Sequence, residues 1–295
     1  MGFTPPASDM RHRAIGPVDR LPPALQRACE PGDEFRPIPE PAPHDWLANH
    51  PELGQTFEQF VNAGCNKPDT TRSKIYLQPL EDFPAGEGPS LEQLRRFAQA
   101  FFAIEVTILS PGGLGQHPIT SRRNPYTRQI QLLTTDILTL LTRRLPSDAF
   151  CLLGITMSDL YPEPAWNFVF GQASLLERVA VYSFARYDPR FYGEERGHAE
   201  HVMLRRSCRV LAHETAHMFG IQHCIFFHCL MNGSNHVTES DARPLHLCPA
   251  DLRKLHHSVG FDVVDRYRRL RDFWREVGFD DEAQWLAGRL RHIEA

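Results

Sequence analysis

The stretch His213-Glu214-Thr215-Ala216-His217-Met218-Phe219-Gly220-Ile221-Gln222-His223 constrains this chain more than any other. Residues four apart lie on one face of a helix, so His213 and His217 can grip one ion together. Glu214 is offset by one residue, which puts its carboxylate beside the ion's open position without making it a ligand. A helix that must stop and turn needs a residue tolerant of positive φ, and Gly220 supplies it. The turn brings His223 back as a third ligand. Three neutral imidazoles leave a fourth position for water, the arrangement of a catalytic rather than a closed structural site. Requiring the glycine and the third histidine makes a chance match roughly 300-fold rarer than a bare His-Glu-x-x-His, given the 19 glycines and 15 histidines present. On the opposite face Leu204, Cys208, Leu211 and Met218 can pack on a sheet while the histidines face a cleft.

This pattern points to metal-assisted hydrolysis with Glu214 as general base. A pure scaffold has no need of an acid beside an open metal site. A zinc-binding scaffold or peptide-binding protein with weak turnover is the alternative reading. A nucleic-acid module fits poorly, because the formal net charge is -4 and no basic recognition helix is visible. Arg266, Arg268, Arg269 and Arg271 cluster, but with acids interleaved they read as a solvated helix face.

No run is long enough to cross a bilayer. The longest apolar stretch, 150–157, suits a buried strand. The N-terminus lacks the apolar core of a signal peptide. Seven cysteines, an odd number, then argue for free thiols or metal ligands and for a cytoplasmic address. Oligomeric state is not legible.

Residues 1–72 are rich in proline and read as an extended arm with a short helix over 53–62. Strands are expected at 75–78, 105–109, 150–157, 168–173 and 179–184. Helices are expected at 90–102, with Ser90 as cap, and at 136–145, 203–219, 261–277 and 281–290. A polar loop is expected over 187–201. The alternation predicts an α/β or mixed layered fold. The expected division is an extension (1–72), an upper part ending in the active-site helix (73–222) and a lower part (223–295).

Directly after His223 comes Cys224-Ile225-Phe226-Phe227-His228-Cys229-Leu230-Met231, and further on Cys248-Pro249-Ala250-Asp251. With the long histidine motif running straight into Cys-x4-Cys-x-Met, the chain resembles the archaemetzincins, a metzincin branch of zinc peptidases. Asn232 to His236, Arg243 to Pro249, Trp166 to Ala173 and Tyr182 to Tyr187 extend the resemblance, which covers roughly 74–261. It implies a zincin fold: a twisted mixed sheet, an active-site helix and a small irregular lower part. It implies a peptide or protein substrate lying along an edge strand at 168–173. It also implies a turn methionine, Met231, under the catalytic zinc, and a second, structural zinc on Cys224, Cys229 and Cys248. The family's fourth ligand is cysteine, and here Asp251 stands in its place. An oxygen donor is chemically possible. His228 and His246 are alternative donors, and absence of the second zinc is the third possibility.

Other residues read more plainly. His256 and His257 fall in the first turns of a helix as exposed side chains. The Gly112-Gly113-Leu114-Gly115 segment beside His117 lacks the ending of a phosphate cradle and reads as a turn. Cys29, Cys65 and Cys151 have no partners at metal spacing and read as structural.

Overall fold

The computed structural model describes residues 3–83, 86, 88–112, 118–193 and 199–295. His117 and most of its glycine turn, and part of the expected polar loop, lie outside the described residues.

Helices α1 (Ser8–Ile15), α2 (Pro23–Ala28), α3 (Trp46–Asn49) and α4 (Phe57–Asn62) precede strand β1 (Lys74–Pro79). Then follow α5 (Leu91–Phe102), β2 (Glu105–Ile108), β3 (Ser121–Arg123), β4 (Ile130–Leu133) and α6 (Thr134–Arg144). Strands β5 (Ala149–Thr156), β6 (Asp159–Tyr161), β7 (Gly171–Ser174) and β8 (Val179–Ser183) lead to the long helix α7 (Ala199–Met218). The chain ends in α8 (Val237–Ala242), α9 (Pro249–Val259), α10 (Val263–Glu276) and α11 (Asp280–Glu294).

Two compact units emerge. One comprises Lys67–Gln99 and Ile104–Met218; the other comprises Met1–Asn66, Ala100–Ala103 and Phe219–Ala295.

The first of these is built on a mixed sheet of order β2-β1-β5-β8-β7. Strands β2, β1, β5 and β8 run parallel, and β7 closes one edge antiparallel to β8. Every residue of β5 is buried, as a continuous apolar run in a sheet covered on both faces requires. Ile137 and Leu141 of α6 pack on Leu152, Val179 and Val181. Ser90 caps α5 by accepting the Gln93 amide at 3.3 Å. Helix α7 lies along β7 and β8 and buries Leu204, Cys208, Leu211, Ala216 and Met218. A smaller sheet, β3-β4-β6, carries the Gln131 and Asp159 side chains inward. The edge strand begins at Gly171, later than the sequence suggests. Phe168 instead lies under the Arg186 guanidinium at 3.6 Å, and Phe170 stacks on Tyr187 at 4.9 Å.

In the other unit the proline-rich segment is not a loose arm. Ala14, Ile15, Leu25, Phe35 and Phe60 are buried in its core. Helix α1 packs on α9, and α2 on α10 and α11. The proline-rich composition hid helices of only four to eight residues, which tertiary packing rather than propensity stabilises. Residues 1–66 therefore group with 219–295, a division the separate extension did not anticipate.

Two local readings are corrected. Arg266 is buried: its Nε donates to the Phe101 carbonyl at 2.6 Å and its guanidinium lies over the Phe101 ring. Its neighbours Arg268 and Arg269 are exposed, as expected. His256 and His257 sit at the end of α9, not its start, and are half-buried; His257 meets Phe57 edge-on.

Candidate active site and cysteine centre

Helix α7 carries the histidine pair. Four-residue spacing stacks the two rings edge-on, and their Nε2 atoms stand 3.1 Å apart. Two nitrogens at zinc–nitrogen distance from one tetrahedral ion would be separated by about 3.3 Å, so the pair has the spacing such an ion needs. His213 is buried and His217 half-buried.

Glu214, one residue round the helix, is half-buried beside β7. A Cβ placed on Gly171 would come within 3.2 Å of its carboxyl carbon. Tyr182, opposite Gly171 on β8, has its phenol pushed well up by burial, and the nearby Glu214 charge adds to that. Glu214 is thus set against the outermost strand of the sheet by α7's packing.

Helix α7 stops at Met218, and Gly220 turns the chain with φ 87. Beyond the turn, in the other unit, buried Gln55 pins the loop. Its amide donates to the Gly220 carbonyl at 3.1 Å, and its oxygen accepts from the Gln222 amide at 3.2 Å. His223 follows, with Nδ1 2.7 Å from Glu52 Oε1.

The same unit gathers Cys224, Cys229, Cys248 and Asp251 into one fully buried group. Cys224 and Cys248 Sγ atoms are 3.7 Å apart, against about 3.8 Å for two thiolates on one tetrahedral zinc. Asp251 Oδ2 lies 3.4 Å from both Cys229 and Cys248 Sγ. Its other oxygen, Oδ1, accepts from the buried Lys254 at 2.9 Å. The backbone amides of Met231 and Cys248 point at Cys229 Sγ, at 3.5 and 3.2 Å. The Cys248-Pro249 start of α9 brings Asp251 into its first turn and Lys254 one turn further on. Asn232 ties the preceding loop, donating to the Cys224 and Phe227 carbonyls and accepting from the Cys229 amide. Met231 is buried, its carbonyl held by the Cys224 amide at 2.8 Å.

Burial pushes the Asp251 carboxyl up to about 6, with the Cys224 charge adding and Lys254 opposing. The two histidine alternatives stand outside this group. His246 stacks on Trp285 at 3.6 Å, and His228, half-buried, donates its backbone amide to Arg36.

Sequence reasoning missed Glu52, Gln55 and Lys254. The first two lie more than 160 residues from their partners, and a lone lysine in a helix carries no signal. It also missed Asp45, His236 and Glu239, which converge at the start of α8. There His236 Nδ1 accepts the Glu239 amide at 3.1 Å, leaving Nε2 to donate to Asp45 at 3.2 Å; the group works as a helix cap.

A His-Glu-x-x-His helix packed along the edge of a mixed sheet defines a metallopeptidase. Residues 141–257 match peptidase family M54. Archaemetzincin-2 of Macaca fascicularis is 39% identical over 275 residues, spanning 83% of this chain and 76% of that protein. Archaemetzincin-2 of Mus musculus is 40% identical over 264 residues, 80% of this chain and 74% of that one. A solved zinc-dependent peptidase of Methanocorpusculum labreanum shares the fold with TM-score 0.50 and 24% identity, over 61% of this chain and 99% of that one. The chain belongs to the archaemetzincins, peptidase family M54, and is a zinc metallopeptidase of that family.

Proposed function

We propose that this chain cleaves peptide bonds of peptide or protein substrates with one zinc on His213, His217 and His223, and that a second zinc sits on Cys224, Cys229, Cys248 and Asp251. The observation that carries the catalytic half is the 3.1 Å Nε2 pair with Glu214 beside it. Zinc at that position supplies Lewis acidity toward the scissile carbonyl and makes water a usable nucleophile near neutral pH. Glu214 does the proton work: one carboxylate oxygen takes the proton of the attacking water and returns it to the leaving amine nitrogen. The outer edge of β7 can pair with an extended substrate backbone, since it has a partner strand on one side only among the described residues. Met231 is the turn methionine of this reading and not a ligand.

The second zinc has a charge argument. Three thiolates and a carboxylate around a dication leave an excess of two negative charges. Lys254, fully buried and bound to Asp251 Oδ1, offsets one of them. Oδ2 is then the oxygen that faces the sulfurs.

Three experiments test this. Glu214→Gln should lower kcat by about 10²–10⁴-fold on any peptide the wild type cleaves, with zinc content unchanged; equal turnover would refute the role of Glu214. The wild type incubated with a diverse peptide library, with and without chelator, should give chelator-sensitive products by mass spectrometry. Their absence would favour the scaffold alternative. Metal analysis should give two zinc ions per chain in the wild type and one in Asp251→Ala. A single zinc in the wild type that is lost with His213→Ala would exclude the second site.

A further inference from the structure

We infer that Glu52 is the positioning residue for His223, holding its ring so that one defined nitrogen is left to a metal. This rests on His223 being a ligand, as proposed above. His223 Nδ1 lies 2.7 Å from Glu52 Oε1. A carboxylate only accepts, so Nδ1 carries the hydrogen and Nε2 keeps its lone pair. The same Oε1 accepts the indole hydrogen of Trp46 at 2.8 Å, so two donors converge on one oxygen and fix where it stands.

Trp46 is itself anchored. Its backbone amide donates to Glu239 at 2.9 Å, and its ring stacks on His50 at 4.0 Å and meets His223 edge-on at 5.2 Å. Gln55, three residues beyond Glu52, holds the loop that leads to His223 at both Gly220 and Gln222. Residues 46–55 therefore form a bracket from the opposite end of the chain. It fixes the backbone before His223, sets the Trp46 ring against the imidazole and fixes the tautomer. A carboxylate on the far nitrogen of a metal-bound imidazole raises ligand basicity and fixes ring orientation; losing such a partner costs about 10–100-fold in metal affinity. The proline-rich segment thus acquires a functional role, as the source of a residue that tunes the metal site without touching substrate.

The test uses the full chain. Zinc affinity is measured by chelator competition for the wild type and for Glu52→Ala, Glu52→Gln, Trp46→Phe and His223→Ala. Cobalt(II) visible spectra and kcat and KM are recorded alongside. Glu52→Ala should weaken the more labile zinc about 10–100-fold and shift the cobalt bands, with the cysteine-held metal unchanged as internal control. Glu52→Gln keeps an oxygen acceptor without the charge and should fall between wild type and alanine; it also serves if the alanine variant does not fold. Trp46→Phe should change affinity in the same direction and less. Loss of one zinc in His223→Ala with wild-type affinity in both Glu52 variants would overturn the role of Glu52. Full zinc affinity in His223→Ala would instead show that the ligand assignment itself is wrong.

Discussion

A methyl group on Gly171 would stand 2.9 Å from Tyr182 Cβ, 3.0 Å from the Val181 carbonyl oxygen and 3.2 Å from the Glu214 carboxyl carbon. The first two neighbours belong to a fully buried strand and cannot give way easily, whereas Glu214 is a side chain that can move. Gly171→Ala should therefore cost about 1–3 kcal/mol of stability by overpacking and displace the Glu214 carboxylate. Urea unfolding would read the first effect. Steady-state kinetics should show a kcat loss that exceeds any change in KM; unchanged kcat would mean that Glu214 does not depend on that space. Neighbouring residues differ in how far the sequence reveals them. His213, Glu214 and His217 are legible because helical spacing is local and their chemistry is specific. The space that Gly171 leaves is not, because it exists only once α7 has packed on the edge strand. Lys254 and Arg266 mislead for a related reason: a charge that ends up buried looks in sequence like any solvated one.

At the scale of elements, the buried pair Asp159–Arg186 ties strand β6 to the turn after β8. Arg186 Nε and Nη2 meet the two carboxylate oxygens at 2.8 and 2.9 Å, and Gln131 of β4 donates to the same carboxylate at 2.9 Å. Phe168 covers the guanidinium. Removing one partner strands a charge out of water, so Arg186→Met should cost about 3–5 kcal/mol. The double variant with Asp159→Leu should cost less than the two single changes added together, since it removes both buried charges. Chemical denaturation of the three variants checks this, and strict additivity would show that the two groups do not interact. Strands such as β5 are evident in sequence from a long apolar run, but β3, with Ser121-Arg122-Arg123, has neither length nor alternation to betray it. The first turns of helix α9 escaped notice because its buried face carries Asp251, Arg253 and Lys254, which break the amphipathic pattern.

At the scale of the molecule, the two ends of the chain share one core. Arg27 Nε donates to the Ile293 carbonyl at 2.8 Å, Arg289 Nη2 donates to the Ala28 carbonyl at 3.1 Å, and Arg253 donates to the carbonyl of Ile15. Leu25, Phe35, Leu47 and Phe60 are all buried there. At about 1.5–3 kcal/mol for each apolar side chain buried, these four alone contribute on the scale of a whole domain's net stability of ~5–15 kcal/mol. A chain starting at Lys67 should therefore fail to hold 219–295 in a folded state, while the unit carrying the five-stranded sheet keeps its own core. Limited proteolysis followed by mass spectrometry should show rapid cutting within 219–295 and slow cutting within 67–218, where the full-length chain resists in both. Because Cys224, Cys229, Cys248 and Asp251 all lie within 219–295, the truncated chain should also lose the zinc proposed for that group. Equal protease resistance with two zinc ions retained would show that the N-terminal helices are dispensable to the core they complete.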